Sequence, residues 1–339
     1  MEERALMSQQ KIIDIARRRA QVMSCLRKFF TDRSFIEVDT PVLLTGPAPE
    51  AHIEAPATTI IEPGGHRKRY LQTSPELPMK RLLGAGLERI FQIAPVFRQG
   101  DFSATHRPEF RMLEWYRRGE SWESLLDDCQ TLLRECSKDL LGTTKINYQG
   151  EAIELAEDFR RITMDEAFIQ HAGFSILDKL DPTKLQKTLD KLGIHHDPSD
   201  TWDDLFHRVF LDKVEPKLLE NAAPLFLTHY PAPLAALARR HPQDPRCSER
   251  FELYVAGIEL ANGFGELTCP DEQRTRFEQD RAWRVQHGMQ DYPFDERFFE
   301  ALETLPPSAG IALGVDRLMM LLMDGQNIKE ISLIPWEEA

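Results

Sequence analysis

The sequence lacks any uncharged apolar stretch of about 18 residues, the length that a membrane-spanning helix needs. Its first residues, Met1-Glu2-Glu3-Arg4, lead into a charged segment without the apolar core of a signal peptide. We therefore predict a cytoplasmic protein that does not associate with membranes. The five cysteines are scattered and form no CxxC pair, which favours reduced thiols over a zinc site or a disulfide framework.

Basic residues are also in deficit. The chain has 42 Lys and Arg against 55 Asp and Glu, a net charge of −13. Surfaces that bind nucleic acid need positive charge, so the balance argues against wide contact with DNA or RNA, although a local basic patch can lie on an acidic protein. The run His66–Arg69 is the one compact basic segment, and we interpret it as a solvated hairpin tip.

No internal repeat and no low-complexity linker divides the 339 residues. Predicted strands and helices are interleaved without the regular alternation of a doubly wound parallel sheet, which favours an α+β fold with an antiparallel sheet flanked by helices. On length alone, the chain would form one large domain or two ordinary ones. A mostly helical subregion at about 155–220 contains no catalytic candidates.

Hydrophobic periodicity and turn residues predict the individual elements. Helices are expected at about 10–33, 74–83, 122–141 and 270–288, and a further helix after Gly314. Strands are expected at 35–39, 58–62, 69–73, 90–98 and 109–117. The segment 250–268 has the spacing of one helix face in its acidic residues. Its β-branched, aromatic and glycine content instead favours two strands with a Gly-rich connection.

A short polar loop between the strands at 90–98 and 109–117 concentrates the first chemical candidates. The guanidinium of Arg98 can hold a phosphate with two N–H donors, although an isolated arginine at a strand end is usually an exposed ion-pair partner. His106 lies on the same loop, and Phe110 begins the return strand as a stacking face for a purine. Together these neighbours favour a phosphate site.

Three acidic residues recur at a spacing of seven: Glu252, Glu259 and Glu266. Carboxylates on adjacent strands can share a hard cation, and Mg²⁺ bound to phosphates takes one or two of them. A solvated acidic face is the alternative interpretation. The apolar residues and glycines between the three acids favour the site.

Two smaller patterns complete the set. Gly314-Val315-Asp316-Arg317 enters an apolar helix, where a small residue lets a ligand approach the backbone and Arg317 can reach a terminal phosphate. Ser74 and Glu76 precede a helical segment. Glu76 can bind an ammonium group, or the pair can be an ordinary helix N-cap with a first-turn acid.

In this order, the residues resemble the catalytic core of the class II aminoacyl-tRNA synthetases, in the lysine-specific branch. The likeness spans nearly the whole chain, with motif 1 at about 10–41, motif 2 at 97–116 and motif 3 at 309–320. It implies a single catalytic domain with the class II α+β fold over residues 1–339 and a homodimer built on motif 1. It also implies the use of ATP and Mg²⁺ to activate lysine or (R)-β-lysine.

The resemblance also implies roles for individual residues. Arg98 and Arg317 would be the catalytic residues. The ATP site would consist of Arg98, His106, Phe110, Glu259, Leu260, Gly314 and Arg317. Glu252 and Glu259 would bind Mg²⁺. The amino acid would be held by Ser74, Glu76, Glu114, Tyr116, Asn262, Glu266 and Ala312.

Two observations bear on the acceptor of the activated amino acid. About ten residues precede the motif 1 helix, so we expect no N-terminal anticodon-binding domain. Ala312 stands where the synthetases usually have glycine, and one methyl group in a packed pocket shifts substrate preference by about 1–3 kcal/mol. Both features resemble a truncated branch of the family that acylates a lysine ε-amine of elongation factor P, with tRNA not the expected acceptor.

Alternatives and departures remain. A synthetase-like enzyme acylating tRNA or another small acceptor is one alternative, and a catalytically silent binding module is another. Motif 2 normally carries a glutamate where this chain has Gly100, followed by Asp101, and an asparagine where it has Arg107.

Overall fold

A computed structural model describes residues 2–338 of the chain, with side chains from residue 9 onward. The first half forms α1 (Glu2–Thr31), β1 (Ile36–Glu37), β2 (Leu43–Leu44), β3 (Ala57–Glu62), β4 (Gly65–Leu71), α2 (Glu76–Gly84), β5 (Arg89–Phe97), β6 (Glu109–Arg118), α3 (Glu123–Leu141), β7 (Lys145–Tyr148), β8 (Glu151–Glu154) and β9 (Arg160–Thr163). The second half forms α4 (Met164–Ala172), α5 (Pro182–Leu192), α6 (Trp202–Val209), α7 (Glu215–Leu218), β10 (Leu225–Thr228), β11 (Arg250–Val255), β12 (Ile258–Gly265), α8 (Pro270–Gln286), α9 (Glu296–Leu302), β13 (Ser308–Gly314) and α10 (Val315–Met323).

Eight strands form the central sheet, in the order β1-β5-β6-β13-β12-β11-β10-β9. Neighbours from β5 to β10 are antiparallel, whereas the edge strands β1 and β9 pair in parallel with β5 and β10. The predicted α+β fold with an antiparallel sheet flanked by helices is confirmed. The predicted strand pair around motif 2 is also confirmed, as β5 and β6.

Side chains alternate along each strand, so one face of this sheet packs into the main core and the opposite face carries the candidate site. Leu113 and Trp115 of β6, with Leu313 of β13, are buried in the main core. The helices α1, α3 and α10 pack against this face. Residues of the other parity, such as Glu114 and Tyr116, face the opposite side, so the same strands supply both the core and the candidate site.

The predicted helical subregion at about 155–220 contains α4 to α7. These helices enclose a core of their own, in which the rings of Phe168, Phe206 and Phe210 stack. The region also contains β9, which the sequence did not predict. This strand has only four residues, two of them exposed arginines, so it gave no alternating apolar pattern.

The prediction of two strands over 250–268 is confirmed, whereas the helix-face interpretation is wrong. The predicted Gly-rich connection needs a correction, since the hairpin turns at Ala256 and Gly257, both with positive φ. Gly263 and Gly265 lie inside β12 instead. A Cβ atom at Gly263 would lie 2.5 Å from the ring of Phe251, so this glycine permits close packing within the sheet.

All five cysteines are free thiols. None of the helices within residues 2–338 combines the length and the apolar character that crossing a membrane requires.

Candidate active site

A cleft opens over the polar face of the central sheet, with an empty volume of about 1180 Å³ that includes space open to solvent. Its walls include β6, β12 and β13, the loop between β5 and β6, the starts of α2 and α10, and the loop between β2 and β3. All the predicted site residues except Glu252 and Glu266 line this cleft. The structure therefore brings together residues that lie more than 200 positions apart in the sequence.

Strand register explains how these residues meet. Glu114 of β6 lies directly opposite Ala312 of β13, which lies opposite Asn262 of β12, and Asn262 lies opposite Glu252 of β11. Directly opposite residues project from the same face of a sheet. Glu252 therefore points to the same face as the cleft residues, one strand beyond them.

A β-bulge places Glu259 in the same group. Leu253 pairs with Ala261 but Tyr254 pairs with Glu259, so Leu260 is an extra residue on β12. The bulge reverses the alternation at this point and turns Glu259 to the face of Glu252 and Asn262. The spacing of seven between Glu252 and Glu259 is thus the spacing of a bulged hairpin.

One half of the cleft carries positive charge. The guanidinium of Arg98 lies 5.5 Å from the ring centroid of Phe110, within cation–π range, and its Nε donates to the carbonyl oxygen of Thr73 at 3.4 Å. A cation and an aromatic face are therefore adjacent, as recognition of a phosphorylated purine requires.

Arg317 completes this half. Its Nη1 donates to the carbonyl oxygen of Glu259 at 2.7 Å, and its Nη2 contacts Nε2 of His106. Nδ1 of His106 lies 2.6 Å from Oγ of Ser103. Burial, followed by the charge of Arg317, lowers the pKa of His106, so its ring is neutral at pH 7 and acts as a hydrogen-bonding group.

The other half of the cleft is acidic. Glu114 accepts hydrogen bonds from Oγ of Ser74 at 2.5 Å and from Oη of Tyr116 at 2.7 Å. Burial, with the charge of Glu76 as a further cause, raises the pKa of Glu114 to about 8. A buried carboxyl group with a raised pKa is suited to binding a cation, because the cation stabilises its ionised form.

Lys80 is a residue of this half that the sequence did not indicate. Its fully buried ammonium group lies 2.5 Å from Oε2 of Glu266 and 2.5 Å from Oε1 of Glu76. Burial lowers the pKa of Lys80, but the charges of Glu266 and Glu76 raise the pKa by more than burial lowers it, so the net shift is upward. Burial raises the pKa of Glu266 to about 7 despite the opposing charge of Lys80.

The position of Lys80 explains why Glu266 does not line the cleft. Glu266 is 1% exposed and lies beside Gly310, where a Cβ atom would come within 2.3 Å of Oε1 of Glu266 and 2.2 Å of the ring of Tyr116. Glu266 is thus buried beside Tyr116 and Gly310, which themselves line the cleft. A lysine four residues after Glu76 has the spacing of an exposed helical ion pair, so no sequence signal indicated its burial.

The two candidate metal ligands fit a nucleotide-bound Mg²⁺. Glu252 accepts from Nη2 of Arg250 at 2.7 Å and from Oη of Tyr254 at 2.6 Å. Burial and the charge of Glu252 raise the pKa of Glu259, an arrangement that a cation between them would relieve. Within residues 9–338, no three or more His, Cys, Asp or Glu residues form a metal-binding group. Two carboxylates suffice when phosphate and water oxygens complete the shell.

The motif 2 departures have structural consequences. Gly100 adopts a positive φ of 89°, and Asp101 next to it lines the cleft. Arg107 is buried, donates to the carbonyl oxygen of Ser103 at 2.9 Å, and lies 3.3 Å from Oδ1 of Asn327. The loop is therefore fixed to the segment that follows α10.

Comparison with known proteins identifies the family and several relatives of the chain. The family model described as "tRNA synthetases class II (D, K and N)" matches residues 2–338. The chain is 39% identical over 332 residues to the elongation factor P--(R)-beta-lysine ligase of Vibrio vulnificus (strain YJ016), covering 96% of this chain and 97% of that protein. It is 38% identical over 324 residues to the ligase of the same name from Proteus mirabilis (strain HI4320), covering 94% of each.

Similarity extends to a second group of enzymes. The chain is 36% identical over 326 residues to the lysine--tRNA ligase of Chromohalobacter salexigens. That match covers 94% of this chain but 62% of the longer enzyme.

Proposed function

Because the chain belongs to the class II tRNA synthetase family, in the group described as D, K and N, we propose that it is an ATP-dependent ligase for elongation factor P. The ligase activates (R)-β-lysine or lysine as an aminoacyl-adenylate and transfers the aminoacyl group to a lysine ε-amine of the factor. The observation that carries the proposal is a single cleft with a cationic half and an acidic half. Relatives named for this activity that match along nearly their full length support the acceptor.

In the first step, a carboxylate oxygen of the amino acid attacks the α-phosphorus of ATP as the bond to pyrophosphate breaks. Arg98 is proposed to hold the α-phosphate, with Arg317 and the neutral His106 holding the outer phosphates. Mg²⁺ held by Glu252 and Glu259 would supply further neutralisation of phosphate charge. No side chain forms a covalent intermediate, so the acceleration comes from positioning and charge stabilisation.

The acidic half is proposed to select the substrate. Burial disfavours the negative charge of the Glu114 carboxylate. An ammonium group next to Glu114 would compensate that charge and so stabilise the carboxylate form. Ser74 and Tyr116 keep the carboxylate oriented by donating to its two oxygens. Asn262 contributes an Oδ1 atom that is buried without a hydrogen-bond partner among residues 9–338.

In the second step, the acceptor amine attacks the carbonyl carbon of the adenylate. A C–N bond forms as the bond from carbon to the phosphate oxygen breaks, and the amine releases one proton. The products are an amide on the factor and AMP.

We also propose a homodimer and a cytoplasmic location. The exposed side chains of Ile12 and Ile13 on α1 and of Ile36 on the edge strand β1 support a contact between copies at motif 1. Light scattering tests the dimer, which a monomer mass at micromolar concentration would contradict. The five free thiols are consistent with a reducing compartment.

The direct test is acylation of the proposed acceptor. The protein is incubated with ATP, Mg²⁺, purified elongation factor P and either (R)-β-lysine or lysine, and the factor is weighed by intact mass spectrometry. We expect the mass to increase by one lysyl residue, and replacement of the acceptor lysine to abolish the increase. An unmodified factor with both amino acids would contradict the proposal.

The similarity to lysine--tRNA ligases favours one second candidate, acylation of tRNA. Aminoacylation of tRNA(Lys) at a rate comparable with that of a lysine--tRNA ligase would support this candidate over the first.

A further inference from the structure

Glu50 is an acidic residue of the cleft that takes part in neither step of the proposed reaction. It lies on the loop between β2 and β3, and its side chain lines the cleft. Hydrogen bonds from Arg284 and to Tyr292, on and after α8, hold the loop backbone. Nη1 of the fully buried Arg284 donates to the carbonyl oxygens of Glu50 and Ile53, at 2.8 and 2.7 Å. Oη of Tyr292 accepts from the backbone N–H of Ala55 at 2.8 Å.

The support for this loop is also tight. A Cβ atom at Gly46 would lie 1.8 Å from the carbonyl oxygen of Pro293, so the start of the loop is in contact with the segment after α8. Contacts on both sides of Glu50 therefore hold the backbone of the loop against the segment after α8.

The carboxylate of Glu50 lacks a protein partner. Although the residue is half-buried, no side chain among residues 9–338 donates a hydrogen bond to its carboxylate. Burial raises the pKa of Glu50 to about 7, with Arg98 opposing the shift and Glu76 adding to it. A partly buried acceptor without a donor is unfavourable, so a donor from a ligand would be stabilising here.

The charges around Glu50 differ from those around Glu114. Glu50 lies in the field of Arg98 and Glu76, whereas the charges acting on Glu114 are those of Glu76 and Glu266. Glu76 is common to both environments. The loop that carries Glu50 adjoins the strand end that carries Arg98, because the backbone N–H of Gln99 donates to the carbonyl oxygen of Glu54 at 2.8 Å. Glu114 instead lies on β6, with Ser74 and Tyr116 as its hydrogen-bond partners.

We propose that Glu50 is a specificity-determining residue that binds the amino group nearest the reacting carboxylate of a diamino acid, while Glu114 and Tyr116 bind the amino group at the far end. This inference rests on the proposed function. The carboxylate must meet the α-phosphate beside Arg98, and an α- or β-amino group is attached one or two carbon atoms away. Glu50 is the acid without a protein donor at that end.

The test compares three ligands with and without this carboxylate. The ligands are lysine, (R)-β-lysine and 6-aminohexanoate, which retains the far amino group but has none near its carboxylate. The protein and its Glu50→Gln variant are assayed by ATP–pyrophosphate exchange for the KM of each diamino acid. The inhibition constant of 6-aminohexanoate is measured in the same assay. Glu278→Gln, which removes one exposed carboxylate from α8, is the matched control.

We expect Glu50→Gln to raise the KM of the preferred diamino acid about 10- to 100-fold, the effect of losing one charge-assisted hydrogen bond. The inhibition constant of 6-aminohexanoate should change less than about twofold, because that ligand has no group for Glu50 to bind. The control should leave all three constants unchanged. Equal losses for all three ligands, or an unchanged KM for both diamino acids, would overturn the inference.

A second variant addresses position rather than charge. Glu50→Asp keeps the carboxylate but withdraws it by one methylene group, so it should change the ratio of kcat/KM for (R)-β-lysine to that for lysine by about fivefold or more. An unchanged ratio would count against the assignment. If the wild-type protein catalyses exchange and Glu50→Gln does so with the same KM values, the inference about Glu50 is contradicted but the proposed function is not. Absence of wild-type exchange with both diamino acids contradicts the proposed function and the inference together.

Discussion

The two halves of the cleft hold their charged groups in different ways. In the cationic half, called the phosphate half after its proposed ligand, Arg98 lies at a strand end, His106 on a loop and Arg317 at a helix start, and the pKa of His106 is lowered. In the acidic half, called the ammonium half after its proposed ligand, Glu114 on β6 and Lys80 on α2 are buried, and their pKa values are raised. Changes in the first half should therefore affect the chemistry, whereas changes in the second should also affect stability and proton uptake.

The largest effect is expected from removing the buried cation of the ammonium half. Lys80→Met leaves the carboxylates of Glu76 and Glu266 without a compensating charge, which should reduce the free energy of unfolding by about 3–5 kcal/mol at pH 8. Urea unfolding measures the loss. Lys28→Met is the matched control, because Lys28 forms an exposed ion pair with Asp32 that solvent screens, so its removal should change the free energy of unfolding little. Similar losses for both variants would show that burial of Lys80 is not the cause.

The phosphate half should respond in rate and not in stability. Arg98→Gln removes the guanidinium that is proposed to hold the α-phosphate, so kcat/KM for ATP–pyrophosphate exchange should fall about 10²- to 10³-fold. Arg297→Gln, an exposed arginine on α9, should leave the exchange rate unchanged. We expect Arg98→Gln to unfold at the same urea concentration as the wild type within error, unlike Lys80→Met. A fall in rate below tenfold would contradict the role of Arg98.

The pH dependence of binding should distinguish the halves. The free carboxyl group of Glu114 has a pKa of about 8, raised above its ordinary value, so it is largely protonated at pH 6. An ammonium ligand binds the ionised form, so binding displaces a proton below pH 8. Affinity for the diamino acid should rise up to about tenfold per pH unit between pH 6 and 7.5 and level off above pH 8. Calorimetry in buffers of different ionisation enthalpy measures the protons released.

The comparison variant for this titration is Glu114→Gln, whose binding should be weak and should rise less steeply with pH, because Glu50, with a pKa of about 7, is then the carboxyl group proposed to contact the ligand that still titrates in this range. ATP binding to the wild-type protein should not show the same rise, because the pKa of His106 in the phosphate half is lowered. Diamino acid affinity that stays constant from pH 6 to 8 would contradict the raised pKa of Glu114 as a feature of the binding site.

The smallest effect is expected in the motif 2 loop. Arg107→Asn removes the hydrogen bonds to Ser103 and Asn327, each worth about 0.5–1.5 kcal/mol, so the KM of ATP should rise about 2- to 10-fold. The KM of the amino acid should not change, since the ammonium half does not contact the loop. A rise in both KM values would mean that the two halves are not independent.

The two halves also differ in how far the sequence predicted them. Arg98, His106 and Arg317 belong to short motifs whose neighbours are close in the chain, and the structure brings these residues into one cleft. Lys80 and Glu50 were missed because their roles depend on burial by distant segments. The bulge at Leu260 was also not predicted, since a one-residue change of register leaves no local signal. The strand β9 was missed because it is short and carries two arginines.

The most direct test of the account is ATP–pyrophosphate exchange measured side by side with lysine, (R)-β-lysine and 6-aminohexanoate. If one cleft binds ATP at its cationic half and a diamino acid at its acidic half, exchange should depend on at least one of the two diamino acids and should be far weaker with the monoamine. Exchange that is absent with both diamino acids, or equally fast with 6-aminohexanoate, would contradict the assignment of the two halves.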